Sequence, residues 1–185
     1  MLDKDYGLQL YNRFLQGDKG ALEALVALYS DRLIRFAYCF VKSAAAAEDI
    51  TEDAFVALIL RRKRFGQSDN LRAYLYKITR NKALDYLRVH KKNVPISDVE
   101  NVLVGNTAEN DVVRRANNRA LYKCMQALPP QYEEVLYLTY FEDYSVEEVC
   151  KIVRRAKKQV YNLLARAKSS LKELLIKEGV FHEDV

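Results

Sequence analysis

The spacing of apolar residues along the chain predicts helices almost throughout. Apolar positions recur three and four residues apart in segments at about 6–16, 19–42, 46–64, 70–91, 111–127, 130–141, 146–153 and 157–175. Gly17 and the sequence "GQSDN" (66–70) are expected to separate the early helices, and "LPP" (128–130) a later pair. The pattern therefore predicts an all-α fold.

One segment interrupts this pattern. Residues 93–110 contain Pro95, Gly105 and several β-branched residues without a helical period. We therefore predict two small helical domains, 1–92 and 113–185, joined by a linker at 93–112. The linker is too apolar for an ordinary solvated tether, so we expect it to dock on its own domains or on a partner.

Composition supports a folded, helical protein. Half of the 185 residues are apolar, and there are only six Gly and three Pro. The longest apolar run, "AFVALIL" (54–60), is too short to span a bilayer, which takes about 20 residues. The N-terminus lacks the basic and apolar segments of a signal peptide. We therefore expect a cytoplasmic protein without membrane insertion.

The cysteines and histidines do not predict a metal or cofactor site. Cys39, Cys124 and Cys150 are far apart in apolar helical contexts and are expected to be buried thiols. His90 and His182 are too isolated to serve as ligands.

Basic residues are concentrated in two zones, at 61–92 and 151–172, in a chain of net charge +5. Within the first zone, one side of the predicted helix over 70–91 is apolar and includes Leu75, Ile78 and Val89. A second side forms a basic-aromatic stripe of Tyr74, Lys77, Asn81, Arg88 and Lys92. Cations hold phosphates, an amide pairs with a base edge and a ring stacks on an unpaired base, so the stripe indicates binding to separated DNA strands. The alternative is a solvated face whose tyrosines cover a neighbouring helix, with Asp85 and Arg88 as an ordinary ion pair.

The second basic zone has the outline of a helix-turn-helix. "SVEE" (145–148) predicts a capping box that starts a short helix, and a longer basic helix follows a tight turn. The first turns of that helix would read base edges through Lys157, Lys158, Gln159, Tyr161 and Asn162. The residues expected to grip the DNA backbone are Arg155, Arg166 and Lys168. The alternative is a basic helix that merely ends a bundle.

An acidic face is predicted on the helix over 46–64. It consists of Glu48, Asp49, Glu52 and Asp53, spaced three and four apart. Clustered carboxylates repel DNA, so this face indicates docking to a basic protein partner. A solvated helix start favoured by the helix dipole is the open alternative.

Three segments in this order resemble the extracytoplasmic-function sigma factors of the sigma-70 family. "AEDITEDAFVALI" is similar to the family's core-polymerase-binding helix, "LRAYLYKITRNKALDYLR" to its −10 recognition segment and "ALPPQYEEVLYLTYFEDYSVEEV" to the start of its −35-binding domain. The resemblance implies a non-enzymatic subunit, without catalytic residues, that directs core RNA polymerase to promoters. It also implies that Asp49, Glu52 and Asp53 meet the clamp helices of the polymerase's largest subunit, and that Asn81 is the amide residue of the −10 segment.

The sequence departs from the family pattern in the −10 segment, in the turn of the helix-turn-helix and in the recognition helix, which commonly has Lys and Arg where Tyr161 and Leu163 stand. Tyr74 stands where the family usually has Trp, so base stacking should survive but weaken. Arg154 stands where the turn of the helix-turn-helix usually has Gly, which predicts a turn that is built differently.

Two other functions compete with this interpretation. A helix-turn-helix regulator that acts without core polymerase would leave the acidic face and the basic-aromatic stripe unexplained. A nucleic-acid-processing enzyme would need a metal or acid-base site, and no motif for one is present. The promoter, the binding of an anti-sigma factor and the role of the C-terminal tail are left open by the sequence.

Overall fold

A computed structural model of the chain describes residues 2–66, 70–90 and 112–180. Within these ranges every regular element is helical, which confirms the predicted all-α fold. The elements are α1 (Leu2–Leu15), α2 (Lys19–Val41), α3 (Ala44–Arg61), α4 (Leu71–His90), α5 (Val112–Gln126), α6 (Pro130–Leu136), a π-helical turn (Tyr137–Phe141), α7 (Val146–Val153) and α8 (Lys157–Lys177).

The chain divides into two compact units, Met1–Asp98 and Val99–Val185. The described helices of the first unit are α1–α4 and those of the second are α5–α8. The predicted linker lies outside the described residues, apart from Val112 at the start of α5. Its boundaries and its docking therefore stay predictions.

Helix α2 is the centre of the first unit and packs against α1, α3 and α4. Its core side chains Leu25, Tyr29, Leu33 and Phe36 recur three and four residues apart and are fully buried. At Gly7 of α1, an added Cβ would lie 2.2 Å from Tyr29 Oη. The missing side chain at this position is what lets α1 approach α2 so closely.

Side-chain caps define where the helices of the first unit begin. Asp18, Ser43 and Asn70 accept hydrogen bonds from backbone N–H groups three residues later, and so start α2, α3 and α4. These caps satisfy donors that a helix start otherwise leaves unpaired. Because of them α3 and α4 are fixed at their N-termini, and these two helices carry the predicted binding residues of this unit.

In the second unit, α8 packs against α5, α6 and α7. Its buried stripe includes Val160, Leu164 and Ala167, which share the core with Val135 of α6 and Val149 of α7. The opposite side of α8 is left exposed along most of its length. The helix is thus held by one face and presents the other.

The predicted helix-turn-helix is present as α7, a turn and α8. The capping box is confirmed, because Ser145 Oγ accepts from the Glu148 backbone N–H and the Glu148 carboxylate accepts from the Ser145 N–H. Arg154 has φ 55° and ψ 49°, so the turn has the left-handed residue that glycine usually supplies. The prediction of a differently built turn was wrong. The strain costs roughly 1–2 kcal/mol, and the N–H groups of Arg154 and Arg155 both donate to Cys150 O.

Two further expectations about burial require correction. Val89, assigned to the apolar side of α4, is 80% exposed because it lies in the last turn, next to His90 at the end of the helix. Cys39 and Cys124 are buried as predicted, and burial raises the pKa of the Cys124 thiol. Cys150 is only half-buried, because it lies in a short helix near the surface.

Candidate polymerase-binding and nucleic-acid interfaces

The acidic face lies on the exposed side of α3. Glu48, Asp49, Glu52 and Asp53 are all exposed, whereas Ile50 and Thr51 between them and Ala54 after them are buried. The helix is therefore anchored by one side, and the carboxylates of the other project into solvent. Such a surface attracts cations and repels DNA.

Two apolar side chains extend this face toward the end of α3. Val56 is 49% exposed and Leu60 is 76% exposed, and they follow Asp49 and Asp53 at helical spacing. The sequence prediction missed them, because only the acidic residues of the segment "AEDITEDAFVALI" were assigned to binding. The spacing 49, 53, 56 and 60 was the signal that could have identified them. Exposed aliphatic side chains beside charges are typical of a protein-protein contact.

One member of the acidic face has a partner in the next helix. Lys82 Nζ of α4 lies 2.9 Å from Asp53 Oδ2, with the Asp53 side chain 66% exposed. Asp53 therefore helps to join α3 to α4 in addition to its place on the acidic face. Asp49 and Glu52 are therefore the members whose substitution tests binding without disturbing the contact between α3 and α4.

Tyr74 of the basic-aromatic stripe is half-buried in an aromatic and cationic cluster. Its ring contacts Phe65 edge-on, with centroids 5.3 Å apart, and Lys63 Nζ lies 4.8 Å from its centroid. Arg61 donates a hydrogen bond of 3.3 Å to Tyr74 Oη. The sequence prediction missed Arg61 and Lys63, although the run "RRKR" (61–64) marked them as basic.

The other described members of the stripe lie further along α4. Lys77 and Asn81 are half-buried, and Arg88 is exposed and pairs with Asp85 at 3.1 Å. The ion pair considered as an alternative is therefore present, and it neutralises part of the charge at Arg88. Lys92 lies outside the described residues.

All eight predicted residues of the recognition helix region are exposed: Arg155, Lys157, Lys158, Gln159, Tyr161, Asn162, Arg166 and Lys168. Four of them also have intramolecular contacts, and one of these is Tyr161, whose ring centroid lies 5.9 Å from Lys157 Nζ. Lys157 pairs with Glu147 of α7, Gln159 Oε1 accepts from the Ala156 N–H at 3.0 Å, and Lys168 Nζ lies 5.1 Å from the Tyr140 ring centroid. The helix start is therefore capped and fixed before any ligand binds.

Neither a metal centre nor a membrane span is found in the described ranges. No three His, Cys, Asp or Glu side chains there are grouped closely enough to hold a metal ion. No helix there combines the length and the apolar character needed to cross a bilayer.

Each of the two units matches a known protein family. The family "Sigma-70 region 2" matches residues 25–93, which include α3 and α4. "Sigma-70, region 4" matches residues 118–171, which include α7 and most of α8. The chain is 28% identical to the ECF RNA polymerase sigma factor SigM of Bacillus subtilis, over 83% of this chain and 94% of SigM.

A second relative is the RNA polymerase sigma factor CarQ of Myxococcus xanthus. It is 30% identical over 74% of this chain and 79% of CarQ. The chain belongs to the extracytoplasmic-function sigma factors of the sigma-70 family. The sigma factor family is not an enzyme family. A regulator that acts without polymerase is not favoured.

A solved structure shares the fold of this sigma factor. RpoE of Bartonella quintana, in a co-crystal structure with the anti-sigma factor NepR, is similar with a TM-score of 0.64 and 23% identity. The similarity covers 83% of this chain and 95% of RpoE. It supports the helical architecture of the two regions.

Proposed function

We propose that this alternative sigma factor binds core RNA polymerase through the acidic face of α3 and opens promoters through α4 and α8. The main support for this proposal is that α3 and α4, which are adjacent in one unit, expose side chains of opposite charge. Carboxylates lie on α3, and cations with aromatic rings lie on α4 and just before it. One unit can thus bind a basic protein surface and nucleic acid at the same time.

In the polymerase contact, Asp49, Glu52 and Asp53 meet basic residues of the clamp helices. Val56 and Leu60 add apolar contact area at the end of the same face. Complementary charge steers the encounter and fixes the register, while the buried aliphatic area contributes affinity. Because the polymerase is cytoplasmic, we assign this sigma factor to the cytoplasm.

In promoter opening, the stripe on α4 holds the separated −10 strand. Lys77, Arg88 and Lys92 contact phosphates, Asn81 reads a base edge and Tyr74 stacks on an unpaired base. Base stacking on an aromatic side chain contributes about 1–3 kcal/mol and requires unpaired strands. The partly exposed Tyr74 ring, held by Phe65, Lys63 and Arg61, supports this role because its orientation is fixed in advance.

In −35 recognition, the N-terminal turns of α8 enter the major groove of duplex DNA. Lys158, Tyr161 and Asn162 face base edges, and Arg155 and Arg166 contact the backbone. Gln159 and Lys157 have intramolecular contacts at the start of the helix, so their contribution is partly to hold α8 in place.

The −35 surface is tested by Arg155→Gln combined with Lys158→Gln in the complex with core polymerase. We expect weaker promoter binding and a salt dependence reduced by up to about one unit of slope for each lost phosphate contact. Promoter affinity is measured by filter binding over a range of salt concentrations. Lys177→Gln, at the other end of α8, is the control. A slope equal to this control's would remove Arg155 from the backbone contact, and an affinity equal to this control's would remove Lys158 from the DNA contact as well.

A further inference from the structure

One ion pair joins the two helices of the helix-turn-helix where α8 begins. Lys157 Nζ contacts Glu147 Oε1, and the two side chains are 56% and 59% exposed. The hydrogen bond from Lys157 lowers the pKa of Glu147, and the same bond raises the pKa of Lys157. Both groups are therefore charged near neutral pH.

The ammonium group of Lys157 is held from a second side as well. It lies 5.9 Å from the ring centroid of Tyr161, one turn further along α8. The start of α8 is fixed as well, because Gln159 Oε1 accepts a hydrogen bond from the Ala156 N–H. A carboxylate is thus placed at the first turn of α8, in contact with Lys157, and the residues Arg155 and Lys158 near Lys157 in sequence are exposed cations.

We propose that Glu147 competes with DNA phosphate for Lys157 and so limits the sequence-independent affinity of α8 for duplex DNA. This inference rests on the proposed −35 role of α8. A carboxylate and a phosphate both accept hydrogen bonds from the ammonium group, whose three N–H donors could serve both. While Glu147 keeps one of them, its negative charge lies beside the phosphate, so a phosphate gains the full contact only when Lys157 leaves Glu147. The carboxylate left behind then repels the DNA backbone.

The consequence concerns the balance between non-specific and base-specific binding. Most non-specific affinity for DNA comes from phosphate neutralisation, whereas base contacts discriminate between sequences. Glu147 lowers the phosphate contribution on every sequence, and Lys158 and Asn162 make the base contacts without contacting Glu147. The affinity ratio between the correct −35 element and other sequences is kept, and the base contacts supply a larger share of the remaining affinity.

The test compares Glu147→Gln with Glu173→Gln in the full chain. Both substitutions remove one negative charge, and Glu173 lies on the exposed side of α8 about 24 Å along the helix from Lys157. Binding to a fluorescent duplex of random sequence is measured by anisotropy between about 50 and about 200 mM salt. We expect Glu147→Gln to bind about 3- to 10-fold more tightly, with a salt slope steeper by up to about one unit. Glu173→Gln should change both quantities less.

A double-mutant cycle separates competition from a structural role. In a Lys157→Gln background, Glu147→Gln should have a smaller effect on both affinity and slope, because only the repulsion between the carboxylate and DNA phosphate remains. A merely structural contribution of Glu147 would change the thermal unfolding midpoint without changing the salt slope.

Three results would overturn the inference. The first is equal behaviour of Glu147→Gln and Glu173→Gln, and the second is a Glu147→Gln effect that is undiminished without Lys157. Either of these, with Arg155→Gln still weakening DNA binding, overturns the inference alone. The third is DNA binding that Arg155→Gln leaves unchanged, which overturns the proposed −35 surface and the inference together.

Discussion

Asp49→Arg combined with Glu52→Arg is expected to abolish binding to core RNA polymerase while the helical fold survives. Both side chains are exposed on α3, and neither fills a core position. In the proposed interface they face basic residues of the clamp helices. Reversal of two charges puts like charges together, which costs several kcal/mol, so we expect affinity to fall at least about 100-fold.

The measurement is a titration of labelled core polymerase with each variant. Asp53 is left intact, because its reversal would also place an arginine beside Lys82 and disturb the contact between α3 and α4. Glu23→Arg with Asp31→Arg, at two exposed acidic positions of α2, is the matched control. If the α3 variant binds core polymerase as tightly as this control, the acidic face is not the docking surface.

Asn81→Ala is expected to impair promoter opening much more than promoter binding. The amide is half-buried on the stripe of α4 and is proposed to read a base of the separated −10 strand. Loss of such a contact costs about 1–3 kcal/mol, or roughly 5- to 150-fold in the population of open complex. Duplex binding through α8 does not involve this residue and should be retained.

Permanganate reactivity of unpaired thymines measures the opening, and filter binding measures the total complex. Asn12→Ala, at an exposed position of α1, is the control for loss of an amide in the same unit. Opening at the level of this control would exclude Asn81 from strand capture. A loss of opening in proportion to a loss of binding would place Asn81 in duplex recognition instead.

The parts of the fold that could be predicted from the sequence are those set by local chemistry. The apolar period and the capping signals indicated the helices, and the capping box at Ser145 marked the start of α7 correctly. The π-helical turn was not predictable. In this turn the Glu142 N–H donates to Tyr137 O, whereas in an α-helix it would donate to the carbonyl oxygen one residue later. The packing around the turn determines which carbonyl accepts the bond.

The candidate site likewise has features that could be predicted from the sequence and features that could not. Exposure of the acidic face and of the recognition helix region follows from helical spacing alone. The contacts of Tyr74 with Phe65 and of Lys157 with Glu147 join residues nine and ten apart in different elements. Such pairs depend on how a helix meets its neighbour, which the spacing within one helix does not determine.

Promoter specificity for core RNA polymerase is the function assigned to this chain. Its most direct test is co-elution of the chain with bacterial core RNA polymerase on size exclusion, followed by run-off transcription from a promoter library. We predict a complex of the two that produces transcripts from a defined subset of promoters. Failure to bind core polymerase, together with tight autonomous binding to a palindromic duplex, would contradict the assignment of this chain as a promoter-specificity subunit.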